Sequence, residues 1–146
     1  MAGRGPAKDP NAIRRNKDAI PTVKVQADHK LRGPELPEDA LPDGESWHVQ
    51  TRRWWENWRR SPQAVQMMTD PDWDFLLDTA LMHHKMWSSG RWDFAAEIRL
   101  RAQKYGATPE DRNRLRLTVE LPEEPDGNGQ AGAVIDMGER RGRLGG

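Results

Sequence analysis

Apolar side chains fall at helical spacing from Trp47 onward, whereas the first 46 residues show neither a 3.6- nor a 2-residue repeat. Pro6, Pro10, Pro21, Pro34, Pro37 and Pro42 interrupt any helix there, so residues 1–46 read as an extended, largely disordered leader. Beyond it, Trp47, Thr51, Trp54, Trp55 and Trp58 predict a helix over about 47–60, with Ser46 as its N-cap and Ser61-Pro62 as its stop. Thr69-Asp70-Pro71-Asp72 supplies a capping residue, a proline at the first helical position and acids at the positive end of the helix dipole. Trp73, Leu76, Leu77, Ala80, Leu81, His84 and Trp87 continue it as one apolar stripe as far as Ser88-Ser89-Gly90.

A third helix is predicted from about Trp92 to Lys104, with Ala95, Ile98, Ala102 and Tyr105 on one face and Gly106 just past its end. Thr108-Pro109-Glu110-Asp111 repeats the start chemistry and opens a fourth, through about Leu117. Leu115 to Leu121 then alternates apolar and polar, which fits a short strand near 115–121 or the tail of the helix. After Pro122 the chain is Gly-rich and acidic, with no fixed fold of its own expected. The pattern is thus all-α: about four short helices in a compact body at 47–121, between a leader at 1–46 and a flexible tail at 122–146.

Composition narrows the function. A mean hydropathy of -0.97 and 32% charged residues leave much of the chain solvated. Seven Trp against two Phe and one Tyr supply large apolar area with indole N–H groups that need partners. The absence of Cys excludes disulfides, thiolate nucleophiles and Cys-based zinc sites. No apolar run approaches a membrane span and the first thirty residues are not signal-like, so a soluble, unexported protein is expected. A body of about seventy residues supplies only ~3–5 kcal/mol of stability from one core, which favours self-association.

The net charge of zero conceals segregation. Residues 1–33 carry eight Lys/Arg against three Asp, residues 34–46 carry five acids and no base, and residues 121–146 carry five acids and three Arg. Arg14-Arg15-Asn16-Lys17, with Arg4, Lys8 and Lys24, therefore forms a basic arm suited to neutralising phosphates. Solvation of a disordered tail is the plainer account of the same charges. Arg52 and Arg53 add a basic edge to the first helix, where Arg59 and Arg60 also flank the tryptophans; guanidiniums stacked on indoles would serve structure instead.

Catalytic and metal readings find less support. His83 and His84 are adjacent, so on a helix their rings point about 100° apart and do not chelate one ion. His84 lies on the apolar stripe as a hydrogen-bonded core histidine would. Asp70, Asp72, Asp74 and Asp78 resemble a two-metal nuclease cluster, but capping and dipole complementarity explain acids in the first turns of a helix. There is no phosphate-binding loop for ATP and no motif marking a nucleophilic serine. No enzyme, cofactor or metal is expected.

The strings GRGPAKDP at 3–10, RRNKD at 14–18, WHVQTRRWWENWRRSPQA at 47–64, TDPDWDFLLDTALMHHKMW at 69–87 and AAEIRLRAQKYGATPEDRNRLRL at 95–117 carry a resemblance. Together they resemble the small terminase subunit of tailed bacteriophages, in the branch found in phages and prophages of actinobacteria. The resemblance covers about residues 1–118. It implies a helical, ring-forming homo-oligomer that binds double-stranded viral DNA and delivers it to the large ATPase and nuclease subunit. It also implies action in the host cytoplasm, no membrane partner and absence from the mature virion.

Within that frame Arg14, Arg15 and Lys17 are the expected phosphate contacts, supported by Arg4, Lys8, Lys24, Arg52 and Arg53. Trp54, Trp55, Trp58, Trp73 and Trp87 are the expected core and subunit contacts. The chain lacks the helix-turn-helix spacing used by some small terminases. Two alternatives remain at this stage: a dimeric DNA-binding regulator without a packaging role, and an adaptor that binds only protein.

Overall fold

A computed structural model describes residues 20–123. Its elements run β1 (Val23–Gln26), α1 (Val49–Arg60), α2 (Asp70–Ser89), α3 (Ala95–Ala102), α4 (Pro109–Leu115) and β2 (Leu117–Glu120). Single 3-10 turns occupy Glu38–Ala40, Pro42–Gly44, Pro62–Gln66, Trp92–Phe94 and Gln103–Tyr105.

The two strands pair in parallel, Val23 opposite Leu117 and Gln26 opposite Glu120, and the Val23 and Ala27 amides extend the ladder to the Arg116 and Glu120 carbonyls at 2.9 Å. Parallel pairing demands a long crossover, and here the entire helical body supplies it. The fold is therefore mostly helical with four α-helices, as the pattern predicts, and adds a small two-stranded sheet in which β1 was not foreseen. The alternation after Leu115 does mark a strand, with Leu117 buried on its inner side.

The expectation of a disordered leader to residue 46 is corrected, because residues 20–46 are packed. Val25, Ala27 and Leu41 are buried. Residues 32–38 run antiparallel along α1 and hold it through their carbonyls. Pro34 O accepts from Trp55 Nε1 at 3.1 Å, Pro37 O from Trp47 Nε1 at 2.7 Å, and Arg32 N–H donates to Arg59 O at 2.9 Å. Extended, proline-interrupted backbone leaves its carbonyls unpaired, and buried indoles need acceptors, so each meets the other's requirement. Residues 1–19 and 124–146, including the proposed flexible tail, lie outside the described residues.

Trp47 belongs to this leader. The cap of α1 is His48, not Ser46: its backbone is extended and its Nδ1 accepts from the Gln50 amide at 3.1 Å, so the helix starts at Val49. α2 and α4 open on the capping chemistry legible in sequence, with Asp72 and Asp111 accepting from the backbone N–H and hydroxyl of Thr69 and Thr108. Gly90 and Gly106, both at positive φ, end α2 and the third helical stretch. That stretch is broken into 3-10, α and 3-10 segments; Ile98 is buried, Ala102 and Tyr105 partly so, and Ala95 faces solvent.

The core gathers Leu41, Trp47, Trp55, Trp58, Ala64, Met67, Trp73, Leu76 and Ala80. Trp55 meets Trp73 edge-on with ring centroids 5.8 Å apart, and Trp58 meets Tyr105 at 5.9 Å. Each fully buried indole contributes at most about 4–6 kcal/mol of transfer free energy. Gly33 lies flat against the Trp73 ring at φ 70°, in space a Cβ would fill.

Candidate nucleic-acid interface

Three faces of α1 matter for the site. Thr51, Trp55 and Trp58 are buried toward α2 and the core. Arg52, Trp55 and Arg59 meet the leader, bonding Glu38, Pro34 and Arg32. Val49, Arg53, Asn57 and Arg60 fall within about 80° of arc at 100° per residue, and all four are exposed.

This partition separates arginines that look alike in sequence. Arg52 makes a forked ion pair with Glu38, its Nη2 2.7 Å from Oε2. Arg59 pairs with Glu56 at 2.7 Å and donates to the Arg32 carbonyl at 3.3 Å. Arg53 and Arg60 have no hydrogen-bond or ion-pair partner among the described residues. Of the predicted DNA contacts, Lys24 sits on β1 with Nζ 3.0 Å from Glu120 Oε1, while Arg4, Lys8, Arg14, Arg15 and Lys17 lie outside the described residues. The structure thus brings Arg52 and Arg53 onto one helix but engages the first and leaves the second open. Arg60 and Asn57 join Arg53 on its face; the signal in the sequence is their i, i+4, i+7 spacing.

The tryptophans divide as well. Trp55, Trp58 and Trp73 are core, and Trp54 is half-buried, stacked on His83 at 5.0 Å. Trp87, expected on the core stripe, is 43% exposed because α2 runs past the edge of the body there. It meets Trp92, 65% exposed, with centroids 6.4 Å apart, and its other ring neighbours are His48, stacked at 5.7 Å, and His83, tilted at 6.3 Å. Val49 next to His48 is 69% exposed, so this end of the molecule presents aromatic and aliphatic surface to solvent. Trp92 opens the predicted third helix, but nothing in its spacing marks it as exposed beside Trp87.

Between the aromatic end and the core lie three histidines. His84 Nδ1 accepts from His48 N–H at 2.9 Å, so its proton sits on Nε2, which donates to Glu45 at 2.9 Å. That bond holds the Glu45 carboxyl below its usual range. His83 Nδ1 bonds Thr51 Oγ1 at 2.9 Å; burial, helped by nearby His48 and His84, lowers its pKa to about 4. Asp70 and Asp72 stand in the first turn of α2, where Asp72 serves the cap, and Asp74 and Asp78 are exposed. Among the described residues no group of three or more His, Asp or Glu is placed to hold a metal ion. A shallow groove lined by Phe75, Glu97, Leu100 and Arg101 is already internally paired, Arg101 donating to Glu97 at 2.8 Å and covering the Phe75 ring. No helix among these residues is long and apolar enough to cross a membrane.

What the described residues define is a small, Trp-cored, mostly helical protein whose open chemistry lies on its surface, in a cationic helix face and an aromatic end. The family model of the phage terminase small subunit matches residues 3–145, and the chain belongs to that family. Its role is accordingly in phage DNA packaging. No curated protein and no solved structure matches the chain.

Proposed function

We propose that this chain recognises the viral genome and delivers it to the large terminase subunit to start packaging. The observation that carries the reading is the extent of the family match, which begins at residue 3 and so takes in the basic arm as well as the folded body. Arg14, Arg15 and Lys17, with Arg4 and Lys8, neutralise phosphates; Arg53 adds a cation from α1. Lys24 and Arg52 play a lesser part, since Glu120 and Glu38 engage them.

The chain works as a homo-oligomeric ring in the cytoplasm of an infected actinobacterium and does not stay in the mature virion. Support for self-assembly comes from the exposed Trp87–Trp92 pair, an apolar surface of the kind that subunit interfaces cover. The chain itself is not catalytic: its sequence has no phosphate loop, and the large subunit supplies ATP hydrolysis and cleavage.

The test is the binding of full-length protein to fragments of its phage genome across a salt series, with the mass of the complex measured. Tight binding to the packaging-start fragment by a closed ring, and a shallower salt slope for Arg14→Glu/Arg15→Glu, is the expected result. A dimer on a palindromic operator, or no DNA binding at all, would overturn it.

A further inference from the structure

The outer face of α1 combines features that a solvated helix face need not share. It carries Val49, Arg53, Asn57 and Arg60 in one stripe about 16 Å long, within the span of one major groove crossing. No acid lies on the stripe: Glu56, at its edge, is taken by Arg59. Both arginines lack partners among the described residues, although Arg52 and Arg59 on the same helix are paired. The leader and α2 back the helix on its other sides, so the stripe stands on a rigid support.

Its residue types also form a particular set. Arginine donates two parallel bonds to the O6 and N7 of guanine, asparagine pairs with the N6 and N7 of adenine, and an aliphatic side chain packs on the thymine methyl. Resting on the DNA-binding reading above, we infer that this face of α1 enters the major groove. Arg53 and Arg60 read guanines, Asn57 reads an adenine between them, and Val49 touches a thymine methyl. The arm then contributes affinity and α1 the sequence preference. Glu35, Asp39 and Asp43 are exposed on the leader, which covers the Arg52 flank of the helix; they repel phosphates there and leave one orientation on the duplex.

The experiment is dimethyl sulfate footprinting, which reports guanine N7 in the major groove, on duplexes selected by the full-length protein from fragments of its phage genome. Wild-type protein is expected to protect discrete guanines. Arg53→Ala and Arg60→Ala should each unmask a different guanine and lower the preference for the selected duplex over a shuffled one by about 10- to 100-fold. Affinity for the shuffled duplex should fall much less than affinity for the selected one, the loss of one cation being shared by both, and unchanged circular dichroism shows that the variants fold. Arg14→Glu/Arg15→Glu should weaken both duplexes alike. Guanine protection unaltered by either alanine overturns the assignment to α1 while leaving DNA binding intact. Loss of a complex with the large subunit, with footprints intact, overturns it in favour of an acidic protein partner. Failure of the wild-type chain to bind any fragment removes the DNA reading itself.

Discussion

The Nδ1 atom of His84 accepts a hydrogen bond from the backbone N–H of His48 at 2.9 Å, and this one bond ties the start of α1 to α2. His48 in turn caps α1 through its own Nδ1, and Glu45 fixes the proton of His84 on Nε2. The position and phase of α1, and with them the direction in which Arg53 and Arg60 point, depend on a chain of hydrogen bonds through two imidazoles.

Removing the central member should therefore be costly. His84→Ala leaves the His48 amide without its partner and opens a cavity beneath Trp47, whose ring meets His84 edge-on at 5.5 Å. A loss of about 2–4 kcal/mol is expected in urea unfolding. His84→Asn, whose carboxamide oxygen can take the place of Nδ1, should recover part of it.

Acid should loosen the same junction. His83 is held neutral in the fold, with a pKa of about 4 against 6.5 for the free side chain. The unfolded chain thus takes up a proton that the folded chain refuses, so stability is complete above pH 6.5 and is lost as pH falls from there toward 4. The slope attributable to His83 approaches about 1.4 kcal/mol per pH unit. Unfolding midpoints between pH 7.5 and 4.5 measure it, and His83→Asn should flatten the curve.

Gly33→Ala sets the leader against the core. The new Cβ would lie 2.2 Å from the Trp73 ring, at a backbone φ of 70°. Loosening of the 32–38 segment and a loss on the order of 2–4 kcal/mol are expected. Tryptophan fluorescence and the melting temperature report both, and an unshifted melting temperature would count against the packed leader.

Val25→Asp places a charge where the parallel strand pair meets the body, and Val25 is 3% exposed. Limited trypsin digestion should then cut at Lys24 or Lys30 well before the helices, whereas the parent chain resists there. Equal cleavage rates would mean that β1 is not held against β2.

How much of this was legible in sequence depends on the reach of each interaction. The starts of α2 and α4 were readable because Thr69 with Asp72, and Thr108 with Asp111, complete their chemistry within four residues. β1 was not, since Val-Lys-Val-Gln is too short to show a period and its partner strand lies about ninety residues away. The order of the leader was hidden for a related reason: its carbonyls find their donors on tryptophans of a helix that folds back on it. Periodicity placed Trp87 on the buried stripe, but not the edge of the body that the stripe outruns. In the candidate interface, Arg52 and Arg53 were equivalent until Glu38, fourteen residues before Arg52, took one of them. The spacing of Arg53, Asn57 and Arg60 was visible all along; only the packing of the leader and α2 showed which face of α1 stays open.

The central claim is that this chain starts packaging of its phage genome, and the most direct measurement is DNase-protected genomic DNA in cells infected by phage lacking it. Empty procapsids and protected DNA reduced to background, restored when the chain is supplied in trans, is the predicted result. Filled heads in normal number without the chain would contradict the account.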